Sequence, residues 1–237
     1  MNDETMDMTS MEASLPEWLT PMSWVFVALG VISAALVLYD IYGRHHHQPN
    51  AAMSLVWPIS ALYLGPFGLW AYNRWGKSGT HSQAGRAARS EQDLHGQVIT
   101  GSTPGGAAAT LGHFIGVPLV VASGLTIAGT NLWVMIIFIA LLAIALLFIF
   151  EYFFASSAKH ASAGRKAGAA LLTATITVLA FDIGMGGWML LMHFGNFMPA
   201  PTDISFFFLM QIGLVLGLLT AYPVVRMLLQ HRVKTVV

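Results

Sequence analysis

The stretch LWVMIIFIALLAIALLFIFEYFFA, residues 132–155, is apolar throughout except for one charged residue, Glu151. A helix needs about 20 mostly apolar residues to cross the roughly 30 Å of hydrocarbon in a bilayer. Five other stretches approach this length, so the sequence predicts an all-α, polytopic transmembrane helical bundle of about six spans. The predicted spans are 22–43, 51–73, 107–128, 132–155, 167–193 and 204–227.

The composition of the 237-residue chain agrees with this prediction. Charged residues make up 9% of the chain and hydrophobic residues 56%, whereas about 25% of the residues in an ordinary soluble domain are charged. The lipid bilayer is therefore the expected partner, and the net charge of zero gives no sign of nucleic acid. The chain has no cysteine, which excludes disulfides, thiolate metal sites and cysteine nucleophiles.

The predicted spans form one domain with short tails. An acidic tail, 1–20, precedes the six-helix domain, 21–230, and a basic tail, 231–237, follows it; the longest connection is polar and runs from about 74 to 106. If the helices alternate sides, ten of the eleven Lys and Arg residues fall on one side, and only Arg44 on the other. Because basic loops favour the cytoplasm, both termini are predicted to be cytoplasmic in a multi-pass protein of the cell (inner or plasma) membrane. An odd number of spans is expected to destroy this asymmetry.

Two helix interruptions suggest internal symmetry. Three spans precede the short turn at 128–131 and three follow it, which allows an inverted 3+3 repeat. Gly65-Pro66 in the second span and Gly184–Gly187 in the fifth occupy corresponding positions in such a repeat. Paired interrupted helices often mark the binding site of a transporter, so this pattern favours transport.

Four ionisable residues within the predicted spans are candidates for ion binding or proton transfer, because such groups are costly in hydrocarbon unless they are paired or hydrated. Asp182 is predicted near the midplane of the fifth span, where it could carry a proton, bind a cation or hydrogen-bond Gln211 of the sixth. His113 and Glu151 are predicted at similar depths and could form a pair. Asp40 is expected near water at the outer end of the first span.

A metal site is a second hypothesis for the fifth span. Met185, Met189 and Met192 share a helix face with Asp182, and His193 adjoins that face. Thioethers and imidazoles suit Cu(I), so the face could handle copper. The alternative is that these methionines simply fill the core of the bundle.

The remaining histidines suggest little chemistry. His45, His46 and His47 could capture a divalent metal in a surface loop, although adjacent histidines converge only in a favourable turn; the alternative is a solvated loop. A haem held by His113 and His193 is not expected, because their predicted depths differ by most of the bilayer. No nucleophile with a base and an orienting group is visible, so an enzyme is not predicted.

Three blocks carry a resemblance to a known family: WPISALYLGPFGLWAYNRWGK (57–77), FDIGMGGWM (181–189) and MQIGLVLGLLTAYPV (210–224). They resemble the membrane protein family DUF4396, over about residues 50–230. The resemblance implies the helical architecture, but the family has no established activity to carry over. Many similar proteins carry two cysteines before the third helix and an acid at its start. Here those positions hold Gly105, Ala109 and His113, so a thiol site of relatives is expected to be lost.

Two classes of function follow from these observations. The first is a transporter or handler of a cation, such as copper or a proton, that uses Asp182 and the methionines of the fifth span. The alternative is a non-catalytic subunit or scaffold of a larger membrane complex, or a homo-oligomer, because small-residue helix faces and short outer loops fit that role equally well.

Overall fold

The computed structural model describes residues 15–46, 48, 50–77, 91–155, 162–231 and 233–234. Within them the chain is helical, with no extended strand. Three of the helices continue into a short π-helical turn: Tyr39–Gly43 after α1, Tyr72–Gly76 after α3 and Glu151–Ala155 after α5. The helices are α1 (Leu19–Leu38), α2 (Met53–Leu64), α3 (Pro66–Ala71), α4 (Glu91–Ser123), α5 (Leu132–Phe150), α6 (Ala163–Phe194) and α7 (Ile204–Gln230).

Five stretches of the described chain are long and apolar enough to cross a membrane. They belong to α1, α4, α5, α6 and α7, and many of their large apolar side chains are exposed, as expected for surfaces that face lipid. The prediction of an all-α fold with several apolar spans is therefore confirmed. The five stretches are Leu19–Gly43, Leu94–Ser123, Leu132–Phe154, Ala163–Phe194 and Ile204–Gln230.

The directions of the long helices follow from their contacts. The rings of Phe26 and Phe208 lie 5.0 Å apart, and Gly30 lies against Gln211, so α1 and α7 are parallel. Gly112 packs against Ile139 and Gly105 against Leu147, which makes α4 and α5 antiparallel. In the same way, Phe181 and Met185 of α6 pack on Gly217 and Gly213 of the antiparallel α7. We call the end where α1, α5 and α7 begin the N end of the bundle, and the opposite end the C end.

The predicted second span folds back on itself. Pro66 begins α3 directly after Gly65, whose φ of +57° is open to glycine and costly for other residues. The two short helices then run antiparallel, because the rings of Trp57 and Tyr72 are 5.6 Å apart and Gly68 packs on Ala61. We call α2 and α3, with Gly65 at their tip, the re-entrant hairpin.

The re-entrant hairpin enters from the C end and reaches only the middle of the bundle. Its tip residues Leu62 and Gly65 lie beside Gly30 of α1, about 15 Å along that helix from Asp40 at 1.5 Å per residue. Its far end returns to Asp40, which the Tyr72 hydroxyl contacts at 2.9 Å. Five of the six predicted spans coincide with candidate membrane spans of the described chain, and 51–73 is not confirmed as a crossing: hydropathy measured the length of these residues but not the reversal at Gly65.

The directions of the helices bear on the predicted topology. Since α1 and α7 are parallel, the start of α1 and the end of α7 lie at opposite ends of the bundle, and the prediction that both termini lie on one side is not confirmed. The asymmetry of charge nevertheless survives. Every Lys and Arg among the described residues lies at the C end, and Arg44 is no longer an exception: Arg44, Arg74, Lys77, Arg165, Lys166, Arg226 and Lys234.

The structure also revises the third span and the repeat. α4 begins at Glu91, so the second half of the predicted 74–106 connection is helical. Its hydroxyl groups bond within the helix, as Ser102 does to the carbonyl of Val98 at 2.7 Å. α6 runs unbroken through Gly184–Gly187. Only one of the two predicted interruptions breaks a helix, and the argument for paired broken helices fails.

Candidate functional site

A cavity of about 720 Å³ lies between α1, α4 and α7. The re-entrant hairpin separates α1 from α4 in the half of the bundle near the C end, and its tip forms the floor of the cavity through Leu62 and Tyr63. Toward the N end, no helix of the described chain fills the same space. The lining is mainly apolar, with a few polar side chains contributed chiefly by Tyr63, Thr110, His113 and Gln211. A mainly apolar cavity with a few polar groups is typical of a small-molecule site.

His113 presents an unused acceptor at this cavity. Its Nδ1 lies 2.8 Å from the carbonyl oxygen of Ala109, and because a carbonyl only accepts, Nδ1 carries the proton. In the neutral ring, Nε2 then holds a lone pair. Nε2 is buried and has no hydrogen-bond partner among the described residues. The imidazole, 8% exposed, is therefore positioned to accept a hydrogen bond.

Tyr63 places a second polar group at the same cavity. Its hydroxyl is buried and lacks a hydrogen-bond partner by geometry among the described residues. It lies directly over Gly106 of α4, where any side chain would collide with it. The close approach of Tyr63 to α4 thus depends on a glycine at position 106.

Gln211 has a structural role at the hairpin tip. In an unbroken helix the carbonyl of Leu62 would accept from the amide of residue 66, but Pro66 has no N–H. The side-chain Nε2 of Gln211 donates to that carbonyl instead, at 2.9 Å. Backbone breaks at membrane depth persist only where protein or water satisfies the freed groups. The predicted bond from Gln211 to Asp182 is absent from the described structure.

Asp40 fastens the re-entrant hairpin to α1. The carboxylate is 6% exposed. Its Oδ2 accepts from the Tyr72 hydroxyl at 2.9 Å and faces Lys77 Nζ at 3.0 Å and His46 Nδ1 at 3.2 Å. Arg44 approaches Oδ1 at 3.5 Å from an exposed position. The prediction that Asp40 lies at a helix end is right, but it is buried and paired there.

The predicted pair of His113 and Glu151 does not form. Gly112, beside His113, packs against Ile139 of α5, and Glu151 lies twelve residues further on, about 18 Å at 1.5 Å per residue. The prediction failed because α4 begins well before residue 107, which places His113 deeper than expected. Glu151 instead forms a buried ion pair with Lys234 at the C end.

The predicted metal ligands are not brought together at a polar site. Met185, Met189 and Met192 are each at most 2% exposed and belong to the main apolar core. Asp182 is half-buried, makes no hydrogen bond or ion pair within the described chain, and does not line the cavity. His193 is half-buried against the ring of Phe194. The copper hypothesis stays a prediction.

The histidine loop gives no metal cluster either. His45 is exposed and His46 contacts Asp40, whereas His47 lies outside the described residues. Within the described chain, no three His, Asp or Glu side chains converge as metal ligands. The functional residues that sequence reasoning missed are Tyr63 and Thr110. The Gly65-Pro66 break was the signal that could have pointed to Tyr63.

These features define a helical protein of the membrane type, whose described residues include several apolar helices, a re-entrant hairpin and a cavity at the tip of that hairpin. The family described as Domain of unknown function (DUF4396) matches residues 95–234, more than half of the chain, and the protein belongs to this family. The blocks 181–189 and 210–224 lie within the match, whereas the hairpin block 57–77 lies outside it. Comparison with curated proteins and with solved structures gives no match.

Proposed function

We propose that this protein binds a small, largely apolar molecule in the cavity at the tip of the re-entrant hairpin, as a carrier of that molecule in the membrane. The observation that carries the proposal is His113, which lines a mainly apolar cavity and whose buried Nε2 has no hydrogen-bond partner among the described residues. A buried acceptor without a partner is costly. A ligand that donates to it would remove that cost.

The lining argues for a neutral ligand over a cation. Among the described residues, no Asp or Glu lines the cavity, whereas cations in membrane proteins are normally held by acids or by several oxygen ligands. The broken helix at the floor supports a carrier, because discontinuous helices near the midplane commonly form the binding sites of transporters. The cargo in this proposal is the bound molecule, and Asp182 has no part in holding it.

We also propose an orientation in the cell membrane, with the C end cytoplasmic and the N end outside. Its support is the charge distribution, since basic residues near membrane spans favour the cytoplasmic side. All described Lys and Arg residues lie at the C end. Glu17 and Asp203, by contrast, flank helices that start at the N end. The start of α1 is then outside, and the cavity lies in the outer half of the bilayer.

The native absence of cysteine makes this orientation directly testable. We expect Glu17→Cys and Asn196→Cys to react in intact cells with a maleimide that cannot cross membranes. Ala51→Cys and Asn73→Cys should react only after permeabilisation, because both ends of the hairpin lie at the C end. Labelling of Ala51→Cys, but not Glu17→Cys, in intact cells would instead support six crossings. Asn196 is outside in both topologies and controls for access of the reagent.

Photolabelling tests the cavity itself. We expect a neutral alkyl diazirine, added to the protein in lipid nanodiscs, to label cavity residues such as Val27 and Phe207 well above other lipid-facing positions. Val27→Trp should fill part of the cavity and reduce this labelling several-fold. Leu29→Trp is the matched control, since Leu29 is exposed on α1 but does not line the cavity. Even labelling of all lipid-facing helices would contradict the proposed site.

A further inference from the structure

We propose that the ligand of this cavity is an amphipathic lipid with a hydroxyl group, which reaches the cavity from the bilayer between α1 and α4. This inference rests on the proposed function and names the ligand class of that site. Two groups of observations carry it: the hydrogen-bonding needs of His113 and Tyr63, and the exposure of the cavity wall.

The polar groups at the cavity require a donor and tolerate an acceptor. Nε2 of His113 holds a lone pair because Nδ1 donates to the carbonyl of Ala109, so the ligand must donate there. The Tyr63 hydroxyl can donate or accept. A ligand hydroxyl that donates to His113 satisfies this buried acceptor, and the same oxygen can in turn accept a hydrogen bond.

Other polar head groups fit less well. An ionised carboxylate cannot donate to Nε2 of neutral His113, and an ether oxygen has no proton. An ammonium group could donate, but no acid lines the cavity to balance its charge. A neutral hydroxyl meets the bonding requirement without burying a charge.

The rest of the cavity suits an apolar chain and is open on one side. Val31 of α1 is 52% exposed, Phe114 and Val121 of α4 are 51% and 47% exposed, and all three line the cavity. These exposed surfaces belong to apolar spans, so a bilayer surrounds them. The connection between α6 and α7 contributes Pro201 and Thr202 to the lining near the N end. Access is therefore lateral, and the ligand arrives as a lipid.

Two matched probes test the hydroxyl. The affinities of dodecanol and of dodecyl methyl ether for the protein in lipid nanodiscs can be measured with isotope-labelled probes and compared with each other. Because one hydrogen bond to a buried acceptor is involved, we expect the alcohol to bind about five- to tenfold more tightly. His113→Phe should abolish this preference while leaving binding of the ether nearly unchanged. Tyr63→Phe, which removes only a hydroxyl, should leave the preference in place, because the oxygens of both probes can accept from Tyr63 and only the alcohol can donate to His113.

The outcomes separate this inference from the proposed function. Equal binding of alcohol and ether by the wild type, with cavity labelling intact, would overturn the hydroxyl ligand and leave the binding site standing. Absence of saturable binding by either probe, together with even photolabelling, would overturn both. Lateral access predicts that Val121→Trp slows association of dodecanol several-fold, whereas Leu119→Trp, exposed on α4 away from the cavity, does not. An unchanged rate in Val121→Trp would overturn access between α1 and α4.

Discussion

Gly184→Ala is expected to destabilise the bundle by about 3 kcal/mol, because overpacking a close helix contact costs roughly 1–3 kcal/mol and more where backbone must move. A Cβ at Gly184 would lie 2.5 Å from the carbonyl carbon of Leu216 and 2.7 Å from the amide nitrogen of Gly217. These are backbone atoms of α7, which cannot rotate away as a side chain can. The substitution would therefore push α6 and α7 apart.

Gly187→Ala provides the matched control on the same helix. A Cβ at this position meets nothing within 4 Å, and Ala favours a helix over Gly by up to about 1 kcal/mol. We expect its stability to equal or exceed that of the wild type. The difference in stability between the two variants can be measured by thermal unfolding in mild detergent, with size-exclusion chromatography as the readout. Equal losses for both substitutions would show that α6 and α7 do not approach closely at Gly184.

Asp40→Ala is the second substitution with a large expected effect, a loss of about 2–3 kcal/mol. Removing one partner of a buried ion pair leaves the other uncompensated, which commonly costs about 3–5 kcal/mol. The lower figure applies here because the side chain of Lys77 is 29% exposed and that of Arg44 is 60% exposed, so water recovers part of the loss. The variant also leaves the Tyr72 hydroxyl without its acceptor.

A double substitution shows whether the loss comes from the clamp between α1 and the re-entrant hairpin. Lys77→Met combined with Asp40→Ala should be less destabilising than the sum of the two single changes, because removing both charges leaves neither unpaired. Asp182→Ala is the control, since Asp182 has no hydrogen bond or ion pair in the described chain. We expect it to leave stability unchanged or raise it. Additive losses at Asp40 and Lys77, measured by the same unfolding assay, would contradict the clamp.

Hydropathy predicted the long helices, but it did not predict the reversal within the second predicted span. The run at 132–155 has one stable solution in lipid, because a long apolar helix satisfies its own backbone hydrogen bonds. Residues 51–73 have a similar length but are less apolar, and a turn at Gly65 costs little when Gln211 can take up the freed carbonyl of Leu62. That compensating partner lies 149 residues away, beyond the reach of any local pattern.

At the candidate site, too, the sequence identified individual residues but not their long-range contacts. The rarity of polar groups in membrane spans singled out His113 and Gln211 in the sequence, and both line the cavity. Their partners could not be predicted, because pairing depends on where each helix begins. Once α4 extends back to Glu91, the assumed depth of His113 changes and Glu151 is out of reach. Tyr63 was missed because tyrosines in membrane proteins are usually expected at the membrane interfaces. No local sequence pattern indicates that this tyrosine packs on Gly106.

The bond between Gln211 and Leu62 sets an order for biosynthesis. The hairpin tip leaves the ribosome long before the helix that contains Gln211. Until that last helix is inserted, the carbonyl freed by Pro66 has no partner of its own chain at membrane depth. A nascent chain that ends before α7 must therefore shield the tip with water or with an insertion factor, and the hairpin reaches its final form only after α7 has been synthesised.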